Sequence, residues 1–181
     1  MMSVLHQVVS EIENVISQVN EENLKASMSF FKRETPIFVI GEGRSGFQAR
    51  SFAMRLMHIG YRPYVMGETI TPALKPGNLF IAISGSGKTK NTLSDAQAAK
   101  KVGLKLIAVT SQKDSPLAHI ADDVILVPGR TKGDHSVASI QLLSSLFDQS
   151  VHIVLDTLCL LLSRRDHVTD DDAAANHINV E

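Results

Sequence analysis

Residues 79–89 read Leu-Phe-Ile-Ala-Ile-Ser-Gly-Ser-Gly-Lys-Thr, five apolar residues running into a turn rich in hydroxyls and glycine. That turn is suited to holding an anion. Gly85 and Gly87 let backbone N–H groups converge with no Cβ in the way, Ser84, Ser86 and Thr89 add hydroxyls, and a helix starting there directs its positive end to the same point. Lys88 stands among them as an exposed cation. A second turn, Gly41-Glu42-Gly43-Arg44-Ser45-Gly46, follows the apolar run Ile37–Ile40 and carries Arg44 beside the hydroxyl of Ser45. The chemistry both turns suit is capture of a phosphate, such as that of a sugar phosphate.

The same letters allow other readings. Gly41-x-Gly43-x-x-Gly46 after a strand matches a dinucleotide fingerprint, with Glu68 beyond the next strand as the ribose acid, but this leaves the second turn unexplained and offers no separate substrate domain. Gly87-Lys88-Thr89 lacks the earlier glycine of a nucleotide P-loop, since position 82 is Ala82. Ser86 lacks the first glycine of a nucleophile elbow, which is Ser84 here. No His, Cys and acidic residues stand at ligand spacing, so neither a metal nor another cofactor is expected.

The turns need elements to position them. Leu5, Val8, Ile12, Val15, Ile16 and Val19 recur at helical spacing and predict a helix over 3–19, followed by a short one over 21–32. Strands are expected at Ile37–Ile40, Pro63–Met66, Leu79–Ile83, Leu104–Val109 and Val124–Val127, separated by helices that end at Gly60 and Gly103 or start at Ser115-Pro116. From Val137 to about Arg164 the pattern predicts one long helix with Leu142, Leu146, Ile153 and Leu160 inward. Thr169 can cap a final short helix whose first turn holds Asp170, Asp171 and Asp172. Alternating strands and helices imply an α/β fold, a doubly wound five-stranded parallel sheet in flavodoxin-like order. Ligands of such sheets bind at the carboxyl ends of the strands, where the two glycine-serine turns would flank one crevice. The whole chain, 1–181, reads as a single domain with a helical arm (1–34) and a tail (165–181).

Composition excludes several classes. With 18 basic and 19 acidic side chains the chain has no strong field, so no nucleic-acid partner is expected. The one cysteine, Cys159, sits among leucines as a small buried hydrophobe and suits a reducing compartment. Val151–Leu162 is too short for a membrane span and carries Asp156, and His6, Glu11 and Glu13 interrupt the apolar residues of the N-terminus. A cytoplasmic protein is expected.

Gly-x-Gly-Arg-Ser-Gly (41–46) paired with Ser-Gly-Ser-Gly-x-Thr (84–89) resembles the SIS domain of sugar isomerases. Phe52-Ala-Met-Arg-Leu-Met-His58 and Gly67-Glu68-x-x-Thr71-Pro72 resemble, within it, the 6-phospho-3-hexuloisomerases, and the likeness runs over nearly the whole chain. It implies interconversion of D-arabino-hex-3-ulose 6-phosphate and fructose 6-phosphate, in the ribulose monophosphate route of formaldehyde fixation, by a metal-free homotetramer. By the same resemblance the phosphate and substrate contacts fall on Ser45 and on Ser84 through Thr89. The family's proton acceptor is a glutamate in a Ser-Leu-Phe-Glu-Gln segment, and the matching residue here is Asp148. Glu68 would serve in the crevice as proton shuttle or hydroxyl ligand. His177, in an ending that resembles the family's His-Ala-Asn-Leu-Glu, would reach a neighbouring subunit's pocket. Moving a carbonyl between C2 and C3 requires a base, an enediol and return of the proton, which one carboxylate can perform. Aspartate is one methylene shorter than glutamate, so a sugar-phosphate sensor without efficient chemistry, or an isomerase of another phosphosugar, stand as alternatives.

Overall fold

The computed structural model describes residues 3–180. The arm is helix α1 (Val4–Ile16), helix α2 (Glu21–Ser27) and a 3₁₀ turn (Met28–Phe30). Strand β1 (Pro36–Gly41), helix α3 (Gly43–His58), β2 (Arg62–Val65), β3 (Leu79–Ile83), α4 (Lys90–Val102), β4 (Lys105–Thr110), α5 (Pro116–Ile120) and β5 (Asp123–Leu126) follow in order. Helices α6 (Ser145–Arg165) and α7 (Asp170–Ala175) close the chain.

All strands pair in parallel in the order β2-β1-β3-β4-β5, the expected flavodoxin-like order. β3 is buried on both faces because helices cover both. Ile37, Val39, Ile81, Ile83, Ile107 and Val109 point into a core shared with α1, α3 and α6, while Phe38, Phe80, Leu106 and Ala108 point into a second core under α4 and α5. This period-two split is what continuous apolar strands need when helices lie above and below.

Ends of elements follow local chemistry. Gly103 closes α4 at φ +99°, a backbone region costly for residues with a Cβ. Ser115 caps α5 by accepting from the Ala118 amide, with Pro116 in the first turn. Thr169 and Asp172 form a reciprocal capping box at α7. Arg165 then ties tail to arm, donating to the carbonyls of Met28 (2.6 Å) and Phe31 (3.1 Å), to the Tyr61 hydroxyl (2.6 Å) and to Asp166. Cys159 is buried in the α6 core and burial pushes its thiol far up, as a small hydrophobe requires.

The expected helices of the arm are both too long: α1 stops at Ile16, and the 21–32 segment tightens into the 3₁₀ turn after Ser27. The larger correction concerns 137–164. Residues 137–144 are not helical, and α6 starts at Ser145 because Leu143 takes φ +53°, a conformation no right-handed helix accepts. Consequently Leu142 is 79% exposed, and Ile153 and Leu160 also face outward; only Leu146 of the expected set is inside. The buried face is Phe147, Val151, Val154, Leu155, Leu158 and Leu162 instead. Long and apolar enough to cross a bilayer by composition, α6 is the core helix of this fold, 56% of its most apolar window being buried.

Candidate active site

β1 and β3 are neighbours, with Gly41 opposite Ile83, so the two glycine-serine turns leave the sheet side by side at its carboxyl edge. The first turn is also the first turn of α3. A Cβ on Gly41 would lie 2.6 Å from the Ser45 carbonyl oxygen, and one on Gly46 would lie 2.7 Å from the Gly41 carbonyl oxygen. Those two glycines let helix and strand interlock, which aims Ser45 and Arg44 at the first turn of α6.

There the Ser45 hydroxyl donates to Asp148 Oδ1 at 2.9 Å, and Arg44 Nε lies 3.7 Å from Oδ2. Asp148 is 1% exposed. Burial pushes its carboxyl above the usual range, against the Ser45 hydrogen bond and the Arg44 charge, which pull it down. A desolvated carboxyl with a raised pKa is the kind of group that can take and return a proton. The bond to Ser45 bridges 103 positions of sequence, which no local pattern reveals.

The β3 turn is locked from beneath. Thr110 Oγ1, Ser111 Oγ and the Ser111 amide all donate to the Gly85 carbonyl at 2.9–3.0 Å, and the Leu117 amide donates to the Gly87 carbonyl at 3.1 Å. Gly87 sits at φ +62° against Ser115, and Gly85 against Thr131 and Phe147, the neighbour of Asp148. Ser84 is buried, its hydroxyl paired with that of Thr89 at 2.8 Å, and Ser86 Oγ accepts from the Lys88 amide at 3.2 Å. The amides of Gly85, Ser86 and Thr89 have no acceptor among the described residues.

Helix caps divide the helices into two groups. Ser3, Asn20, Ser115 and Thr169 cap α1, α2, α5 and α7 with their side chains, whereas α3, α4 and α6 start with no side-chain cap. The three uncapped starts belong to the two glycine-serine turns and to the helix of Asp148. Orphan amides left open in this way are donors for an anion.

A SIS-domain model matches residues 30–153, from the end of the arm to the middle of α6. The chain belongs to the SIS-domain family. Within this SIS family it is 36% identical over 178 residues to the 3-hexulose-6-phosphate isomerase of Mycobacterium gastri, covering 98% of this chain and 89% of that one. It is 33% identical over 177 residues to the 3-hexulose-6-phosphate isomerase of Bacillus subtilis, covering 97% and 96%. A crystal structure from Methanococcus jannaschii, from which a 3-hexulose-6-phosphate isomerase function was inferred, superposes with a TM-score of 0.83 at 28% identity, covering 98% of each chain.

Other expected site residues of the SIS domain lie apart from Asp148. Glu68 is exposed past the end of β2 and pairs with Arg50 at 3.2 Å. Its partner Arg50 and its neighbour Gly67 line a crevice of about 450 Å³ with Gly43, Asn91 and Asp95. His177 stacks on His58 with ring centroids 5.1 Å apart, and Asn176 donates to the His58 carbonyl. His58 ends α3 and Ser45 begins it, a separation of roughly 20 Å at 1.5 Å per residue, so His177 does not face Asp148 of its own chain. His58 is buried, and burial, with the charges of Arg55 and His177, pushes its pKa down.

The structure adds residues that the sequence reading left out: Thr131, Lys132 and Gly133 line a second crevice of about 510 Å³ together with Ser86 and Lys88. Gly129 lets the loop after β5 press on α6, since its Cβ would lie 2.7 Å from the Phe147 Cα. The available signal was a glycine followed by cations after a strand, at the same carboxyl edge.

Proposed function

We propose that this chain is a 3-hexulose-6-phosphate isomerase, working in the cytoplasm as a homotetramer. The observation that carries the reading is a buried carboxylate, Asp148, hydrogen-bonded to Ser45 between two anion-suited turns. Exposed apolar residues on α1 and α6, among them Leu5, Val9, Ile153 and Leu160, support the association of copies.

In this reading the turn from Ser84 to Thr89, with Lys88 beside it, holds the phosphate through backbone amides and hydroxyls, and Gly43, Arg44 and Ser45 close on the sugar. Asp148 removes the proton from C2 of the 3-ketose, giving an enediol across C2 and C3. It returns the proton to C3 while the hydroxyl proton passes from O2 to O3, leaving the carbonyl at C2. Holding the distant phosphate fixes the reacting carbons, so the turns act on rate through positioning. The half-exposed Arg44 must leave Asp148 as substrate enters, and its guanidinium is then free for the oxyanion of the enediolate. Glu68 acts from beside the crevice at Gly43, apart from Asp148 of its own chain, and His177 acts by reaching a neighbouring copy.

The test is proton exchange. Protein incubated in D₂O with fructose 6-phosphate should place deuterium at C3, followed by NMR, and should form fructose 6-phosphate from the 3-ketose. The second reading is a sugar-phosphate sensor, since an aspartate reaches one methylene less far than a glutamate would. Binding without exchange would establish that one and sink the isomerase.

The pH profile checks the electrostatics. Since the base must be ionised, kcat/KM should rise with pH through the raised carboxyl pKa of the free enzyme. Arg44→Gln removes a charge that favours the carboxylate, so its acid limb should move to higher pH. An unmoved limb at constant ionic strength would mean that the two groups do not interact in solution.

A further inference from the structure

The segment between β5 and α6 has no regular structure, yet it must deliver Asp148 in the first turn of α6. It is fastened by an acid from the far end of the chain. Glu11 on α1 accepts from Ser139 Oγ at 2.7 Å, from the Ile140 amide at 2.8 Å and from Gln141 Nε2 at 3.0 Å. Arg130, at the start of the same segment, donates to the Ser139 carbonyl at 2.8 Å. Partial burial pushes the Glu11 carboxyl up, but these three hydrogen bonds and the Arg130 charge together hold it below the usual carboxylate range. Glu11 is thus ionised across the physiological range and acts as an acceptor for three donors of one short stretch.

The clamped stretch leads straight to the base. Past Gln141 the backbone turns through Leu143 at φ +53°, and Ser144 accepts from the Lys132 amide through its hydroxyl and from the Asp148 amide through its carbonyl, at 2.8 and 2.9 Å. We propose that Glu11 is a positioning residue for Asp148: by clamping residues 139–141 it fixes where α6 begins and so where the Asp148 carboxylate stands. This rests on the reading of Asp148 as the base. It makes α1, which contributes nothing to the sheet, part of the catalytic apparatus.

Glu11→Gln tests it, because glutamine keeps the size but presents an NH₂ to donors. In the full chain we expect kcat to fall about 10- to 100-fold with KM changed less than threefold, as for a displacement of under 1 Å. The Ile140 amide should exchange faster with solvent, and the Asp148 carboxyl, followed by ¹³C NMR, should titrate at lower pH as its burial loosens. Glu11→Asp should recover part of kcat, and Lys25→Ala on α2 should behave as wild type. Unchanged Ile140 exchange and Asp148 titration in Glu11→Gln would overturn the inference, whatever happened to kcat, and so would faster exchange with full kcat. An inactive wild-type protein would instead overturn the isomerase reading, and the exchange and titration would still decide the clamp.

Discussion

Asp148→Asn is expected to abolish proton exchange into fructose 6-phosphate, lowering turnover by roughly 10²- to 10⁴-fold, the usual contribution of a positioned acid–base group. Binding should survive, since the Ser45 hydroxyl can still donate to the amide oxygen and the anion-suited turns are untouched. Stability should move the other way. Asp148 has a folded pKa raised above its unfolded value by burial. Such a group stabilises the fold fully below the unfolded pKa, and that stability is lost as pH rises through the folded pKa. Asparagine never ionises, so at neutral pH the variant should melt at a higher temperature than wild type, and the two curves should converge in acid. Arg44 loses a partner, but it is half exposed and the loss is small. Retained exchange in the variant would move the base elsewhere, and a lower melting temperature at neutral pH would contradict the burial account.

Gly87→Ala carries the second large effect. The new Cβ would lie 2.0 Å from Ser115 Oγ and 2.3 Å from Ser115 Cβ, at a position with φ +62°. The left-handed backbone costs about 1–2 kcal/mol for a residue with a Cβ, and displacing Ser115 disturbs the cap of α5, worth ~1 kcal/mol. A loss of about 2–3 kcal/mol in urea unfolding is therefore expected. The turn must shift by about 1 Å to relieve the contact, so kcat/KM should fall on the order of 100-fold, chiefly through weaker binding of the phosphate end. Fructose 6-phosphate binding by calorimetry provides the check. Wild-type affinity in a folded variant would show that the Ser84–Thr89 turn is not where the phosphate sits.

How much of this was legible depends on the range of the contacts. β3 could be read because five apolar residues bounded by Asn78 and Ser84 leave a strand no exposed face, and Gly103, Ser115 and Thr169 could be read because capping is decided within four residues. The juxtaposition of the two turns followed from topology alone, once β1 and β3 were taken as neighbours. The start of α6 could not be read in this way. Val137, Ile140 and Leu142 imitate a helical stripe, but the donors of 139–141 are taken by Glu11, some 130 positions earlier, and Leu143 reverses the backbone. The partner of Glu68 could not be read for a similar reason: Arg50, the cation it meets, is one turn beyond Gly46 on a helix whose rotation the sequence does not fix. Asp148 was reached through likeness to a family, and only the Ser45 contact gives it a physical reason.

Arg165 also has a wider consequence. One guanidinium is shared by carbonyls of the first 31 residues, by Tyr61 after α3 and by Asp166 at the last bend before the tail. The end of the arm and the start of the tail are therefore held by one side chain, and loosening either removes a partner from the other. Arg165 is the last residue of α6 and Asp148 stands in its first turn, so the two ends of one helix carry separate tasks, one fastening arm to tail and the other presenting the carboxyl group.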